Sequence, residues 1–120
     1  MFYQKSGFFI LSIFLFFGCS QNDDKGKAYV SNQKAKISVI DLNNFEVVNE
    51  IDSYGGSPRG IGVSEDGKYL IVANGDDGNI AIIDRISGEL SKKVDIGENP
   101  EFVRVKDNLA FVSYEPASIG

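Results

Sequence analysis

The sequence predicts an all-β fold, and within that class part of a β-propeller, a ring of four-stranded antiparallel sheets called blades. Three observations carry this expectation. From Lys27 onward, short apolar runs rich in β-branched and aromatic residues are separated by Gly, Asn, Asp and Ser, and none keeps a helical period for ten residues. The runs also repeat: "AYVSNQKAKISVIDL" from Ala28 matches "LIVANGDDGNIAIIDR" from Leu70, which sets Val30 on Val72 after 42 residues. Finally, "SPRGIGVSEDGK" from Ser57 matches "NPEFVRVKDN" from Asn99 at the same spacing, and "LAFVS" sets Val112 on Val72 after 40 residues more. A period of roughly 40 to 45 residues holding four short strands is the length of one propeller blade.

The elements follow in order. Residues 1–18 begin with a short end carrying Lys5, continue through an apolar run at residues 8–17 and reach Gly18 before the chain turns polar. That is a secretory signal layout, and the run falls short of the roughly 20 apolar residues that span a bilayer. The single cysteine, Cys19, directly follows the small residue at the end of the run. This boundary resembles the bacterial lipoprotein signal, although Leu15 stands one place earlier than that pattern has it. The resemblance implies a lipid-modified Cys19 as the first mature residue, a membrane anchor through its acyl chains, and a place in the cell envelope facing the periplasm or the exterior. Residues 19–27, "CSQNDDKGK", are polar after the cysteine and read as a flexible tether.

Residues 28–120 are the propeller domain, with strands expected at "AYVSN", "KISVIDL", "FEVVNEI", "RGIGV", "KYLIVAN", "NIAIIDR", "KKVDI", "EFVRV" and "LAFVS". The connections have turn chemistry. "EDGK" offers Asp66-Gly67, a pair that accepts the positive φ of a tight hairpin, and "NNF" after Leu42 and "SGE" after Ile86 stand at equivalent turns.

Composition narrows the function. A net charge of -5 argues against nucleic acid as a partner, because replacing phosphate counterions needs a basic surface. The chain has no histidine, which removes the commonest acid–base side chain and the commonest nitrogen ligand for zinc and haem iron. No haem attachment motif, nucleophile elbow or phosphate loop occurs, so no cofactor and no metal is expected. "NGDDGN" at residues 74–79 has the oxygen-rich content of a calcium loop, but it lacks the spacing and terminal Glu of an EF-hand, and a solvated hairpin turn explains the same letters.

Together "YVSN", "IVAN", "ISVIDL", "IAIIDR" and "SPRGIGVSEDGKYLIVAN" resemble the YVTN-type β-propeller repeat of bacterial envelope proteins. The resemblance covers Ala28 to about Tyr114. It implies a Pro-led strand beside the central channel, then the Asn-ended strand, the Ile-Asp strand and an outer edge strand. On that plan the chain opens on the second strand of a first blade, gives a whole second blade and supplies two strands of a third. Rings of this kind commonly have seven blades, so the residues here are expected to be a fragment of a longer protein.

Ligands of propellers sit at the channel mouth. Arg59 and Glu101 follow the equivalent residues Pro58 and Pro100, where they would point a guanidinium and a carboxylate at that mouth. Asn74, equivalent to Asn32, ends the second strand there, where its amide suits hydrogen bonding to loop backbone as well as to a ligand. These three are the candidate ligand-binding residues, and no catalytic residue is assigned. Asp41 and Asp84 recur as repeat architecture. The leading expectation is a binding or interaction scaffold for a protein or small molecule. The alternative is a propeller enzyme or redox-partner subunit, lactonase-like or quinoprotein- and haem-associated, whose catalytic residues lie in further blades.

Overall fold

In the computed structural model, residues 24–34 and 36–115 are described, so the Cys19 boundary, the signal segment and most of the tether lie outside the described residues. Among the described residues, nine strands form three separate antiparallel sheets. The first holds β1 (Lys27–Asn32), β2 (Lys36–Asp41) and β3 (Glu46–Asp52). The second holds β4 (Pro58–Val63), β5 (Tyr69–Asn74), β6 (Asn79–Asp84) and β7 (Leu90–Asp95). The third holds β8 (Pro100–Lys106) and β9 (Leu109–Tyr114). Each strand pairs with its sequence neighbour, which is the meander of a blade, and the whole is a partial propeller of three, four and two strands.

The period-2 alternation of the strands sorts the core into two layers. On one side of the middle sheet, Leu70 and Val72 of β5 with Ala81 and Ile83 of β6 pack against Ile37, Val39 and Ile51 of the first sheet. On the other side, Ile71 and Ala73 of β5 with Ile80 of β6 pack against Val103 of β8. β5 is therefore buried on both faces, and Leu70, Val72 and Ala73 are fully excluded from water. At about 25 cal/mol per Å² of apolar surface, a buried side chain the size of Leu70 or Val72 contributes on the order of 2 kcal/mol. The outer strands β3 and β7 are almost wholly exposed, as their polar sequences "EVVNEID" and "LSKKVD" require.

Close approach of the inner strands sets the spacing between blades. A methyl group at Gly60 of β4 would lie 2.6 Å from the Val103 nitrogen and 2.8 Å from the Glu101 oxygen of β8, so only glycine lets these backbones meet. β1 lies on the other flank of β4, where the Ser31 hydroxyl donates to the Arg59 carbonyl at 2.5 Å.

The turns repeat with one exception to expectation. Gly67 takes φ 70° in the "EDGK" hairpin, and Asp107-Asn108 take φ 50° and 59°, the signature of a two-residue type I′ turn. In the second sheet the left-handed residue after Asp84 is Gly88, φ 73°. In the first sheet the equivalent residue is Phe45, φ 61°, and neither Asn43 nor Asn44 takes positive φ. The Asp side chain decides this. Asp84 Oδ1 accepts from the Ile86 and Ser87 amides (both 2.9 Å), and Asp41 Oδ1 accepts from the Asn43 amide (2.7 Å). This fixes the right-handed part of the turn first and leaves the fourth residue to close it, whatever its type. The same amides of Ser87 and Ile86 hold the half-buried Asp84 carboxyl below its usual range.

Candidate functional site

The loops that lead into the inner strands and out of the second strands gather at one end of the sheets, as the repeat register predicts. Two residues start this construction. Ser57 and Asn99 each precede a proline and each take left-handed backbone, φ 53° and 59°, although a following proline ordinarily pushes a residue to extended geometry. Both prolines, Pro58 and Pro100, are fully buried. The sharp turn aims the carbonyl of the residue before each proline at the end of the paired second strand. There the Gly75 amide donates to the Ser57 carbonyl (3.0 Å), and the Glu115 amide donates to the Asn99 carbonyl (3.1 Å).

The hairpin at residues 75–78 is then tied on both flanks. Towards the 53–57 segment, the Gly56 amide donates to Asp77 Oδ2 (3.0 Å) and the Asp76 amide donates to the Gly56 carbonyl (3.3 Å). Towards the loop before β8, the Ile96 amide donates to the Gly78 carbonyl (3.0 Å). An open cleft of about 580 Å³ lies between this hairpin and the 95–99 loop, lined by Gly75, Asp76, Asp77, Gly78, Asp95, Gly97, Glu98 and Asn99. Four of these residues are carboxylates, and all four are exposed. Among the described residues no group of three or more His, Cys, Asp or Glu is arranged to hold a metal ion.

Asn74 sits beneath this rim. It is fully buried, and its Nδ2 donates to the Ser53 carbonyl (3.0 Å) and to Asn79 Oδ1 (3.1 Å). The amide thus ties the loop of one connection to the hairpin of the next, while its Oδ1 is buried without a hydrogen-bond partner among the described residues. Its counterpart Asn32 is half-buried and accepts from the Lys34 amide (3.2 Å).

Arg59 and Glu101 are brought together as an ion pair between the inner strands of adjacent blades, each about a third exposed. With Ser31 donating to its carbonyl and Glu101 holding its guanidinium, Arg59 ties all three sheets at the inner edge. Its Nε is buried without a hydrogen-bond partner among the described residues. A second cleft of about 360 Å³ runs beside it, lined by residues of β1, β4 and β8 that include Ser31, Arg59, Glu101 and Phe102.

The sequence set Arg59, Glu101 and Asn74 at one mouth, and the segments before Pro58 and Pro100 do gather there with the 75–78 hairpin. It did not anticipate that Asp95 and Glu98 share a cleft with Asp76 and Asp77, nor that Arg59 and Glu101 satisfy one another. The second point had a signal in the repeat: equivalent positions carry opposite charges one blade apart.

This assembly of antiparallel meander sheets, packed face to face in chain order, belongs to the β-propeller class. The family model of YNCE-like β-propellers matches residues 17–110, and the chain belongs to that family. Among solved structures, the chain is similar to one described as Kuenenia stuttgartiensis hydrazine synthase, with 21% identity and a TM-score of 0.71 over 78% of this chain. The match spans 27% of that chain, and at this identity it speaks for the fold. No curated protein matches the sequence.

Proposed function

We propose that the chain is a lipid-anchored binding module of the bacterial cell envelope, a YVTN-type propeller whose rim loops hold a protein or small-molecule ligand. The observation that carries this reading is the acidic cleft of about 580 Å³ between the 75–78 hairpin and the 95–99 loop. Its walls are tied by backbone hydrogen bonds on both sides, so little ordering entropy is lost when a ligand enters. Asp76, Asp77, Asp95 and Glu98 give the cleft a negative potential that suits a cationic ligand, such as a polyamine or a basic peptide segment. Arg59, Glu101 and Asn74 serve this reading by fixing the rim from below.

Anchoring rests on the Gly18-Cys19 boundary at the end of the apolar run. An acyl anchor would keep the acidic domain at a membrane whose own charge does not attract it.

Two measurements test the proposal. Calorimetric titration with spermidine is expected to show binding that weakens as salt rises, and Asp95→Asn with Glu98→Gln is expected to reduce it at least tenfold. Absence of binding to the unsubstituted protein at low salt overturns the cleft as a cationic site. In cells, radiolabelled palmitate is expected on the protein and lost in Cys19→Ser, and an unlabelled protein overturns the anchor.

A further inference from the structure

Residues 24–26, which lead into β1, are clasped to the turn at 42–44. The Asn43 carboxamide works in both directions: its Nδ2 donates to Asp24 Oδ1 (3.1 Å), and its Oδ1 accepts from the Lys25 amide (3.1 Å). Asp24 Oδ1 also accepts from the Gly26 amide (2.9 Å), and the Gly26 carbonyl accepts from the Leu42 amide (3.0 Å). Asn43 is itself fixed, because its amide donates to Asp41 Oδ1 (2.7 Å). The Gly26 amide and then the Asn43 side chain hold the exposed Asp24 carboxyl below its usual range, so the clasp keeps its charge at neutral pH.

This clasp lies at one definite end of the sheets. Lys27 pairs with Asp41 at that end of the first sheet, and Asn32 pairs with Lys36 at the other. Two bonds to the middle sheet set the direction: the Ser31 hydroxyl donates to the Arg59 carbonyl, and the Arg85 guanidinium donates to the Tyr29 hydroxyl (3.1 Å). Arg59 follows Pro58, which pairs with Asn74 at the rim, whereas Arg85 follows Asp84, which pairs with Tyr69 at the opposite end. The turns after β4 and β8 meet at that opposite end too, where the Asp107 amide donates to Glu65 Oε1 (2.7 Å). The clasp and these turns therefore share one end, and the acidic cleft opens at the other.

Five residue steps separate Cys19 from Asp24, a reach of at most about 18 Å whatever path they take. A six-residue strand is about 20 Å long, so an acyl group on Cys19 cannot be brought level with the rim. We infer that the short clasped tether holds the turn-bearing end of the sheets against the bilayer, with the acidic cleft opening away from it to the aqueous side. The inference rests on the acyl anchor proposed above. Its consequence is electrostatic. Asp76, Asp77, Asp95 and Glu98 stand about a strand length, roughly 20 Å, from the headgroups, beyond the Debye length of about 8 Å, so a cationic ligand is drawn from solution without competition from anionic lipid.

Energy transfer from protein to membrane tests this on the full lipidated chain, reconstituted into phosphatidylcholine and phosphatidylglycerol vesicles that carry an acceptor dye on their headgroups. A donor dye is placed through Asn44→Cys at the clasped end or Lys34→Cys at the rim end of the same sheet, both exposed positions. Transfer from Asn44→Cys is expected to exceed that from Lys34→Cys at least twofold, because the two labels differ in height by about 20 Å. Inserting about 20 Gly and Ser residues after Ser20 adds a random-coil reach of roughly 25 Å, longer than the sheet, and the difference is expected to vanish. Equal or reversed transfer from a chain that floats with the vesicles overturns the orientation and leaves the anchor standing. A difference that survives the insertion overturns the short tether as its cause. A chain that does not float overturns the anchor and the inference with it.

Discussion

β5 and β9 occupy the same place in two successive repeats, yet "YLIVAN" is buried along almost its whole length while "LAFVSY" is exposed along almost all of its own. Their sequences differ little in apolar content. What differs is the company: among the described residues, β5 has a sheet on each side, and β9 has one on a single side. Burial in a stacked repeat is thus a property of position in the stack, and a strand's own letters record only that it is fit to be covered.

The largest test of this comparison truncates equivalent residues. Ile71→Ala removes a side chain packed against the third sheet and is expected to cost about 3 kcal/mol in urea unfolding. Phe111→Ala, at the same repeat position, is expected to change stability by no more than about 0.5 kcal/mol in the monomer. Equal effects would show that the outer face of the third sheet is covered in solution.

The close approach of inner strands gives an intermediate effect. Gly60→Ala drives a methyl group into the β8 backbone and is expected to cost about 2 kcal/mol. The equivalent position in the third blade already holds Phe102, on a face that meets no described residue as closely, and Phe102→Ala is expected to leave unfolding almost unchanged. A neutral Gly60→Ala would mean that the two inner strands separate readily.

The smallest effects compare the first two sheets at one turn. Gly88→Ala places a side chain in left-handed backbone and is expected to cost about 1 kcal/mol. Phe45→Gly relieves the same geometry in the first sheet, and after the added chain entropy of glycine it is expected to gain about 0.5 kcal/mol. Thermal unfolding midpoints moving in opposite directions are the readout.

Much of this was legible in the sequence. The spacing of Val30, Val72 and Val112 marked the second strand of each blade, and Pro58 and Pro100 marked the inner one. The Asp66-Gly67 hairpin followed from its dipeptide. Phe45 was not legible as a left-handed residue, because the backbone there is set by Asp41 hydrogen bonding one turn back rather than by Phe45 itself. The Arg59–Glu101 pair was legible only as two charges at equivalent positions. That they meet depends on how close β4 and β8 come, and Gly60 allows that approach without announcing it.

The site divides in the same way. Loop membership at the rim followed from register, since every loop at one end of an antiparallel meander falls on one face. The convergence of Asp95 and Glu98 with Asp76 and Asp77 required the loops of successive strands to fold over one another, which backbone bonds at Gly78 and Ile96 bring about.

By itself the sequence determined the strands, their order within each sheet and the repeat that relates the sheets, because alternation and turn chemistry act over a few residues. Only the tertiary structure decided which faces are buried, which charges pair and where a cleft opens. Those outcomes depend on the distance between sheets, and a strand's own residues do not encode what is laid against them.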